Sequence, residues 1–355
     1  AASAGSAVAQ DASKRPYRIY MALYRGWEEA AQGFKDYFTN QNIPVELIIR
    51  DAGQDRDKIR GFAAEAKALK VDLVFTWGTS VTQEVLGPWD APNPERHITD
   101  IPAVFAIVSQ PVGARVVPNL DSSGRNITGT SYLVPVETQL NLIQSYRPFS
   151  RLGMVYNPLE RNSLVAIEEL TAQGRAMGFT LTAVPVDVVD GKPSPASIPA
   201  KVAEVKAAGV DYLYIPPDTF LNVNRDILTG AALDRRIPTF AAAENPVLTS
   251  KAMFGGVYRY YTVGQLTAYK AEQILVHGIK PADIPNPAGT VAFMAPEQTE
   301  TTSDRIGPWT DVFLLGGILY YILTGTSPHS QDSSTDAWDH AVIGIVDSPE
   351  TRAPN

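Results

Sequence analysis

The stretch VDLVFTWGTSVTQ (residues 71–83) joins an apolar run to a short polar turn that leads into a helix. Val71 to Trp77 has the length and the apolar, β-rich character of a buried strand. Ser80 and Gln83 have the S-x-x-Q spacing of a capping box, so we expect a helix to begin at Ser80. A strand that passes directly into a helix is the repeating unit of parallel α/β sheets.

The same alternation extends in both directions from this stretch. We predict strands at 17–23, 45–49, 71–77 and 103–108, with helices at 27–38 and 57–69 and from Ser80. A second series has strands at 152–156, 180–186, 211–215 and 238–241, helices at 136–146, 163–177, 200–208 and 221–233, and a loop at 190–199. Because 355 residues exceed one ordinary core, the sequence predicts an α/β fold of two doubly wound, Rossmann-like lobes with parallel sheets.

Composition narrows the class of function. The net charge of -8 opposes a nucleic-acid footprint, and the absence of cysteine excludes thiolate metal sites and disulfides. The four histidines have no metal-ligand spacing. No Ser-His-Asp set, P-loop or G-x-G-x-x-G motif follows a predicted strand. We therefore expect a binding protein that is not an enzyme, with no catalytic residue, cofactor or metal.

The first fifteen residues, AASAGSAVAQDASKR, are small and polar. Ala7-Val8-Ala9 has the small-x-small form of a signal-peptidase site, so these residues are interpreted as a flexible remnant of a signal peptide. An alanine-rich tail explains them equally well. The longest apolar run, residues 313–323, is shorter than the roughly 20 residues that a bilayer span needs, so we predict an exported, soluble protein.

Polar and aromatic side chains follow the predicted strands of both halves. Parallel sheets bind ligands beyond the carboxyl ends of their strands, so two facing lobes would surround one cleft. The helix start at Ser80 suits a ligand carboxylate, and the acidic residues Asp218 and Glu244 suit a ligand ammonium group. The aromatic residues Tyr24, Trp27 and Trp77 offer flat apolar walls. Each residue taken singly is equally well explained as a helix cap or a core residue. The candidate ligand-binding residues are Tyr24, Trp27, Trp77, Thr79, Ser80, Ser109, Asn157, Ser163, Asp218, Thr219 and Glu244.

The segments IPAVFAIVSQPV (101–112) and GRNITG (124–129) resemble a family of ABC-transporter substrate-binding proteins that includes tryptophan- and tyrosine-binding lipoproteins. FTWGTS (75–80), LGMVYNP (152–158) and YIPPDT (214–219) extend the resemblance, which covers residues 16–285. It implies a type I periplasmic-binding-protein fold joined by a three-crossing hinge, with crossings near 130–133, 258–261 and 278–285. It further implies a small-molecule ligand such as an amino acid or small carboxylate, ABC permease subunits as partners, and a monomer in the periplasm.

The resemblance also implies a domain organisation. Residues 16–130 with 261–280 would form the first lobe, and residues 131–260 with 281–288 the second. By position, the family's ligand contacts fall on seven of the candidates, namely Thr79, Ser80, Ser109, Asn157, Ser163, Asp218 and Glu244. Two departures matter. No lipid-acceptor cysteine is present, which favours a free periplasmic protein, and Tyr24-Arg25-Gly26-Trp27 replaces the usual first loop, so ligand identity stays open.

The C-terminal part follows a different pattern. GTVAFMAPEQ (289–298) and TDVFLLGGILYYILTG (310–325) resemble the A-P-E region and the following buried helix of a bacterial serine/threonine protein kinase. The Gly-rich loop, H-R-D and D-F-G motifs that phosphoryl transfer requires are absent upstream. Residues 289–355 are therefore interpreted as a kinase-like fragment without activity. For the whole chain, the alternatives to an importer component are a non-catalytic ligand-sensing domain of a signalling protein and a degenerate kinase fragment fusion.

Overall fold

The computed structural model describes residues 15–286 and ten isolated residues between 312 and 348. Residues 15–286 form two lobes, each built on a five-stranded parallel sheet. The predicted α/β fold with two doubly wound lobes is therefore confirmed. The signal-peptide interpretation of residues 1–14 and most of the kinase-like segment lie outside the described residues.

The first lobe alternates strands and helices as its apolar runs predict. Ile19, Met21 and Leu23 of its first strand contact one core cluster and Tyr20 and Ala22 contact the other, so both faces of the sheet are covered. Its elements are β1 (Tyr17–Leu23), α1 (Glu29–Asn40), β2 (Val45–Asp51), α2 (Arg56–Ile59), α3 (Phe62–Leu69), β3 (Leu73–Trp77), α4 (Thr79–Leu86), β4 (Ala103–Val108) and β5 (Ile127–Ser131). The strand order is β2-β1-β3-β4-β5.

The second lobe repeats this topology. Its elements are α5 (Val136–Tyr146), β6 (Arg151–Tyr156), α6 (Arg161–Met177), β7 (Thr180–Pro185), β8 (Val188–Val189), β9 (Lys192–Pro193), α7 (Ile198–Ala207), β10 (Tyr212–Ile215), α8 (Thr219–Val223), α9 (Arg225–Asp234), β11 (Thr239–Ala241), α10 (Glu244–Leu248) and β12 (Phe254–Gly255). The sheet order β7-β6-β10-β11-β12 is the first lobe's order again, with β8 and β9 forming a separate hairpin. In both sheets the order reverses beside the first strand, which creates a topological switch point.

The chain returns to the first lobe through α11 (Tyr260–Leu275), which packs along α1. Gly33 of α1 and Gly264 of α11 allow this approach, because a Cβ atom on either glycine would lie within 3.0 Å of a backbone carbonyl oxygen of the other helix. Lys270 of α11 is buried and donates to the carbonyl oxygens of Gly129 (2.6 Å) and Pro285 (2.8 Å). Burial lowers the pKa of Lys270 to about 7.

Two segments cross between the lobes side by side, and Leu133 pairs with Val257 as an isolated antiparallel bridge. The third crossing expected at 278–285, and the assignment of 281–288 to the second lobe, stay predictions, but the described residues of this segment lie against the first lobe as far as residue 286. Thr128 of the edge strand β5 donates to the carbonyl oxygen of Ile284 (2.8 Å), whose side chain joins the core of the first lobe. The unpaired edge of β5 therefore keeps this segment on the first lobe.

Several predicted boundaries change because of local backbone geometry. The helix expected at 57–69 is divided into α2 and α3, and the helix expected at 221–233 into α8 and α9. Part of the loop expected at 190–199 is a hairpin, in which Asp190 and Gly191 both have positive φ and form the turn between β8 and β9. The capping box is also wrong, because α4 begins at Thr79 after Gly78, and the Gln83 side chain donates to the carbonyl of Ala114 (2.7 Å).

Candidate functional site

A narrow crevice with a cavity volume of about 20 Å³ lies between the lobes, at the carboxyl ends of the strands that flank both switch points. The first lobe contributes the segments after β1, β3 and β4, and the second lobe contributes the starts of α6, α8 and α10 or the residues beside them. Tyr132 and Tyr260 of the crossing segments complete the lining. Doubly wound sheets bind ligands in this position, because helix starts and strand ends converge there.

Asp218 is the acidic residue of the crevice and is 1% exposed. Its carboxylate accepts hydrogen bonds from the Asn157 amide (2.8 Å), the Ser163 hydroxyl (2.6 Å) and the Leu221 amide (2.9 Å), and it caps α8. Burial and, after it, the neighbouring carboxylate of Glu160 raise the pKa of Asp218 to about 7, against the effect of these hydrogen bonds. The second lobe thus presents one carboxyl group whose ionised form an ammonium group would stabilise.

The facing wall in the first lobe is rich in hydrogen-bond donors. Gly78, at φ +83, turns the chain from β3 into α4, and the first helical hydrogen bond runs from the amide of Thr82 to the carbonyl of Gly78 (3.0 Å). The amides of residues 79–81 therefore lie at a helix N-terminus beside the crevice, which suits an anion. The buried indole Nε1 of Trp77 has no hydrogen-bond partner among the described residues, and a bound acceptor would satisfy it.

The floor of the crevice is formed by hydroxyl groups and a strained backbone. The hydroxyl groups of Ser109 and Tyr132 lie 3.2 Å apart, and burial raises the pKa of Tyr132 to about 12. Ile107 has φ +57 where the register of β4 against β5 shifts. A β-branched residue rarely adopts this conformation, and such strain concentrates at functional sites.

Arg25 is the cationic residue of the crevice, and the sequence-based list of site residues missed it. Its guanidinium pairs with the Glu28 carboxylate, with Nε 2.8 Å from Oε1 and Nη2 3.1 Å from Oε2. The positive charge is therefore balanced within the first lobe. The i,i+3 spacing of Arg25 and Glu28 indicates an ion pair in the sequence, but it does not specify the direction in which the guanidinium extends.

Five of the eleven predicted residues line the crevice, and six do not. The five are Trp77, Thr79, Ser109, Asp218 and Thr219. Asn157 and Ser163 lie behind Asp218 as its hydrogen-bond donors, so their predicted direct contact with a ligand does not match their placement. Ser80 is half-buried in the first turn of α4 outside the lining. Ligand contact by the five lining residues stays a prediction. The lining residues that were missed are Arg25, Gly78, Ile107, Tyr132, Asn162, Pro217, Asn222, Ala243 and Tyr260.

The two predicted aromatic walls of the first loop lie outside the crevice. The Tyr24 hydroxyl donates to the carbonyl of Gln54 (3.3 Å). Trp27 is 40% exposed and donates from Nε1 to Gln32 (2.8 Å), beside a separate recess that Asn245 of the second lobe also lines. Both side chains are positioned by the loop between β1 and α1, which directs Arg25, and not its aromatic neighbours, into the crevice.

Glu244 holds a crossing segment and does not line the crevice. Its buried carboxylate accepts from Nε of Arg259 and from the amide of Tyr260 (2.6 Å). We expect Glu244→Ala to lower the free energy of unfolding by about 2 kcal/mol, because a buried amide loses its acceptor. Urea unfolding at pH 7 measures this effect. Glu244→Gln, which keeps one acceptor oxygen, is the matched control and should cost less; equal midpoints for wild type and Glu244→Ala would contradict the anchoring role.

Together, these groups can hold a small zwitterion. The first lobe offers amides, hydroxyl groups and a balanced guanidinium, and the second offers a buried carboxyl group across the crevice. Among the residues that the structure describes, no group of three or more acidic or histidine side chains could hold a metal ion. In the same part of the chain, no helix combines the length and apolar character that a membrane span requires.

Two parallel-sheet lobes with a polar crevice at their switch points define the fold of type I periplasmic binding proteins. The model of the family described as ABC transporter substrate binding protein matches residues 25–291, and the chain belongs to this family. The tyrosine-binding protein of Clostridioides difficile is 25% identical over 268 residues, which are 73% of this chain and 71% of that protein.

Solved structures agree on the fold. A domain from Streptococcus pneumonia in complex with L-Trp has a TM-score of 0.65 at 23% identity, and the match covers 78% of this chain and 90% of that one. The ligand-free, open form of a Clostridium difficile substrate-binding protein has a TM-score of 0.56 at 23% identity, and the match covers 76% of this chain and 88% of that one.

A "probable serine/threonine-protein kinase" of Thermomonospora curvata is 49% identical over 66 residues, which are 19% of this chain but 8% of that protein.

Proposed function

We propose that this chain is the solute-binding component of an ABC importer that captures a small organic solute, an amino acid or related carboxylate, and delivers it to the membrane permease. The observation that carries the proposal is the pairing of an anion-binding helix start in one lobe with a buried carboxyl group in the other, across one crevice. The carboxylate of an amino acid suits the amides and Thr79 of α4. Its ammonium group suits Asp218.

Closure follows from this distribution of contacts. A ligand that touches both lobes gains its full set of contacts only when the lobes are closed, so it shifts the equilibrium towards the closed form. The two adjacent crossing segments, joined at Leu133 and Val257, act as the hinge. We propose that the closed monomer is recognised by the permease subunits in the periplasm. Tyrosine and L-Trp, the ligands of two of these relatives, support an amino acid as the ligand class.

A thermal-shift screen of the twenty amino acids and small carboxylates tests the proposal. A ligand that binds only the folded protein at 100 times its Kd stabilises it by about 2.7 kcal/mol. We expect at least one amino acid to raise the melting temperature, with calorimetry confirming one site. Failure of every amino acid and carboxylate in this screen would contradict the proposal.

Binding of an amino acid is expected to weaken as the pH falls below 7. The raised pKa of Asp218, about 7 in the free protein, means that its carboxyl group is increasingly protonated below that pH and loses its attraction for an ammonium group. The Kd should therefore rise about fivefold between pH 7 and 6 and about ninefold between pH 6 and 5. Titration calorimetry at pH 5, 6, 7 and 8 measures this. The deaminated analogue of the same ligand is the control and should not weaken with acidification; a constant Kd for the amino acid would contradict the role of Asp218.

A ligand-sensing role in a signalling protein is the second candidate, favoured by the 66-residue similarity to a kinase. Both candidates require the same crevice, but only the importer requires a permease. Reconstitution with the membrane subunits separates them, because an importer component stimulates ATP hydrolysis by the transporter when it is loaded.

A further inference from the structure

The aromatic face that the crevice could offer to a ligand is occupied by a protein side chain. The guanidinium carbon of Arg25 lies over the ring of Trp77, 4.7 Å from the ring centre, in a cation–π contact. The Arg25 side chain is 6% exposed and Trp77 is 3% exposed. The remaining surroundings of Trp77 belong to the apolar core of the first lobe, which includes Ile107 and Tyr260. No open ring surface is left for stacking.

The guanidinium is held from both lobes. Glu28 engages Nε and Nη2 from the first lobe. With the Asn222 amide oriented so that its oxygen faces Arg25, that oxygen accepts from Nη1 (3.0 Å) and Nη2 (2.8 Å) from the second lobe. Four of the five N–H donors of Arg25 are then used. A side chain fixed on three sides keeps its place on Trp77 when the lobes are closed.

We propose that Arg25 is a specificity-determining residue, which excludes aromatic side chains from the face of Trp77 and selects a small polar amino acid. This inference rests on the proposed function. With the ring of Trp77 covered, polar and charged side chains provide about half of the crevice lining, namely Arg25, Thr79, Ser109, Asn162, Asp218, Thr219 and Asn222. They stand beside Ile107, Tyr132, Pro217, Ala243 and Tyr260. An aromatic ligand would have to displace the guanidinium from both Glu28 and Asn222, whereas a small polar ligand leaves these contacts intact.

Calorimetry with L-serine, L-threonine, L-tryptophan and L-tyrosine tests the inference on wild type, Arg25→Ala and Arg56→Ala. Arg56 is the matched control, because it also bridges the lobes, from Nη2 to the Leu159 carbonyl (3.1 Å), but does not line the crevice. We expect wild type to bind L-serine or L-threonine at least tenfold more tightly than L-tryptophan. Arg25→Ala should shift that ratio at least tenfold towards L-tryptophan, and Arg56→Ala should leave it unchanged.

Two results would overturn the inference alone: tighter binding of L-tryptophan than of the small amino acids by wild type, or an unchanged ratio in Arg25→Ala. If wild type is folded and binds neither an amino acid nor a small carboxylate, the proposed function fails, and the inference fails with it. Binding of a carboxylate but of no amino acid would overturn the inference and leave the proposed function standing. Arg25→Ala leaves Glu28 without its partner, so the double variant Arg25→Ala/Glu28→Gln is measured where the single variant does not unfold cooperatively. The same shift in ratio is expected from it.

Discussion

Replacing Asp218 with alanine is expected to reduce ligand affinity at least 100-fold and to lower the free energy of unfolding by about 3 kcal/mol. The affinity falls because the only carboxyl group that the described residues contribute to the crevice is removed. Stability falls because the Asn157 amide, the Ser163 hydroxyl and the Leu221 amide all lose a buried acceptor, and α8 loses its cap. We therefore expect Asp218 to act both as a ligand contact and as a structural hydrogen-bond acceptor.

Calorimetry with the ligand found by the thermal-shift screen, together with urea unfolding, measures both effects. Asp234→Ala is the matched control, because Asp234 is exposed at the end of α9 in the same lobe. It should change neither quantity appreciably. Asp218→Asn keeps the shape and one acceptor oxygen, so it should be more stable than Asp218→Ala but bind an ammonium group as poorly. Wild-type affinity in Asp218→Asn would remove the carboxylate from the ligand contacts.

The second large effect is expected at the contact between α1 and α11. Gly264→Ala should lower the free energy of unfolding by about 3 kcal/mol, because its Cβ would lie within 3.0 Å of the Ala30 carbonyl oxygen and carbon, which belong to a backbone that cannot move aside locally. Tyr260 lies at the start of the same helix and lines the crevice. A displaced α11 should therefore weaken ligand binding as well.

Gly230→Ala is the control for this substitution. Gly230 also lies within a helix, α9, but an added Cβ there would meet no atom within 4 Å. The gain in helix propensity should stabilise the protein by up to about 1 kcal/mol. We therefore expect urea unfolding to show that the same glycine-to-alanine change lowers the free energy of unfolding at position 264 and raises it at position 230. A Gly264→Ala protein as stable as wild type would show that the two helices are not in close contact.

Four of the five strands of each sheet could be predicted from the sequence, because strands covered on both faces are mostly continuous apolar runs. The edge strands β5 and β12 were missed, since ITGTS has few apolar residues and β12 is two residues long. The division of the helix at 57–69 could not be, since its apolar periodicity continues through Arg60 and Gly61, where the structure interrupts it. The capping pattern at Ser80 and Gln83 was overridden by a tertiary contact, in which Gln83 bonds to the Ala114 carbonyl. Local patterns predict elements well, but long-range contacts decide their ends.

The position of the crevice at the strand ends could be predicted better than the side chains that line it. Thr79, Ser109 and Asp218, which the strand-end loops indicated, line the crevice, and ligand contact by them stays a prediction. Glu244 was placed in the site for its acceptor chemistry, yet the crossing segment supplies two donors, from Arg259 and Tyr260, that it satisfies instead. Arg25 was missed because its role depends on Trp77 and Asn222, which are distant in sequence.

The claim that a solute binds between the lobes and holds them together is tested most directly by an interlobe distance. The chain has no cysteine, so Lys58→Cys in α2 and Ala172→Cys in α6, both exposed, can carry spin labels without background labelling. Double electron–electron resonance should give a broad distance distribution for the free protein and a single, shorter and narrower one with saturating ligand. An identical distribution with and without a ligand that calorimetry shows to be bound would contradict the account.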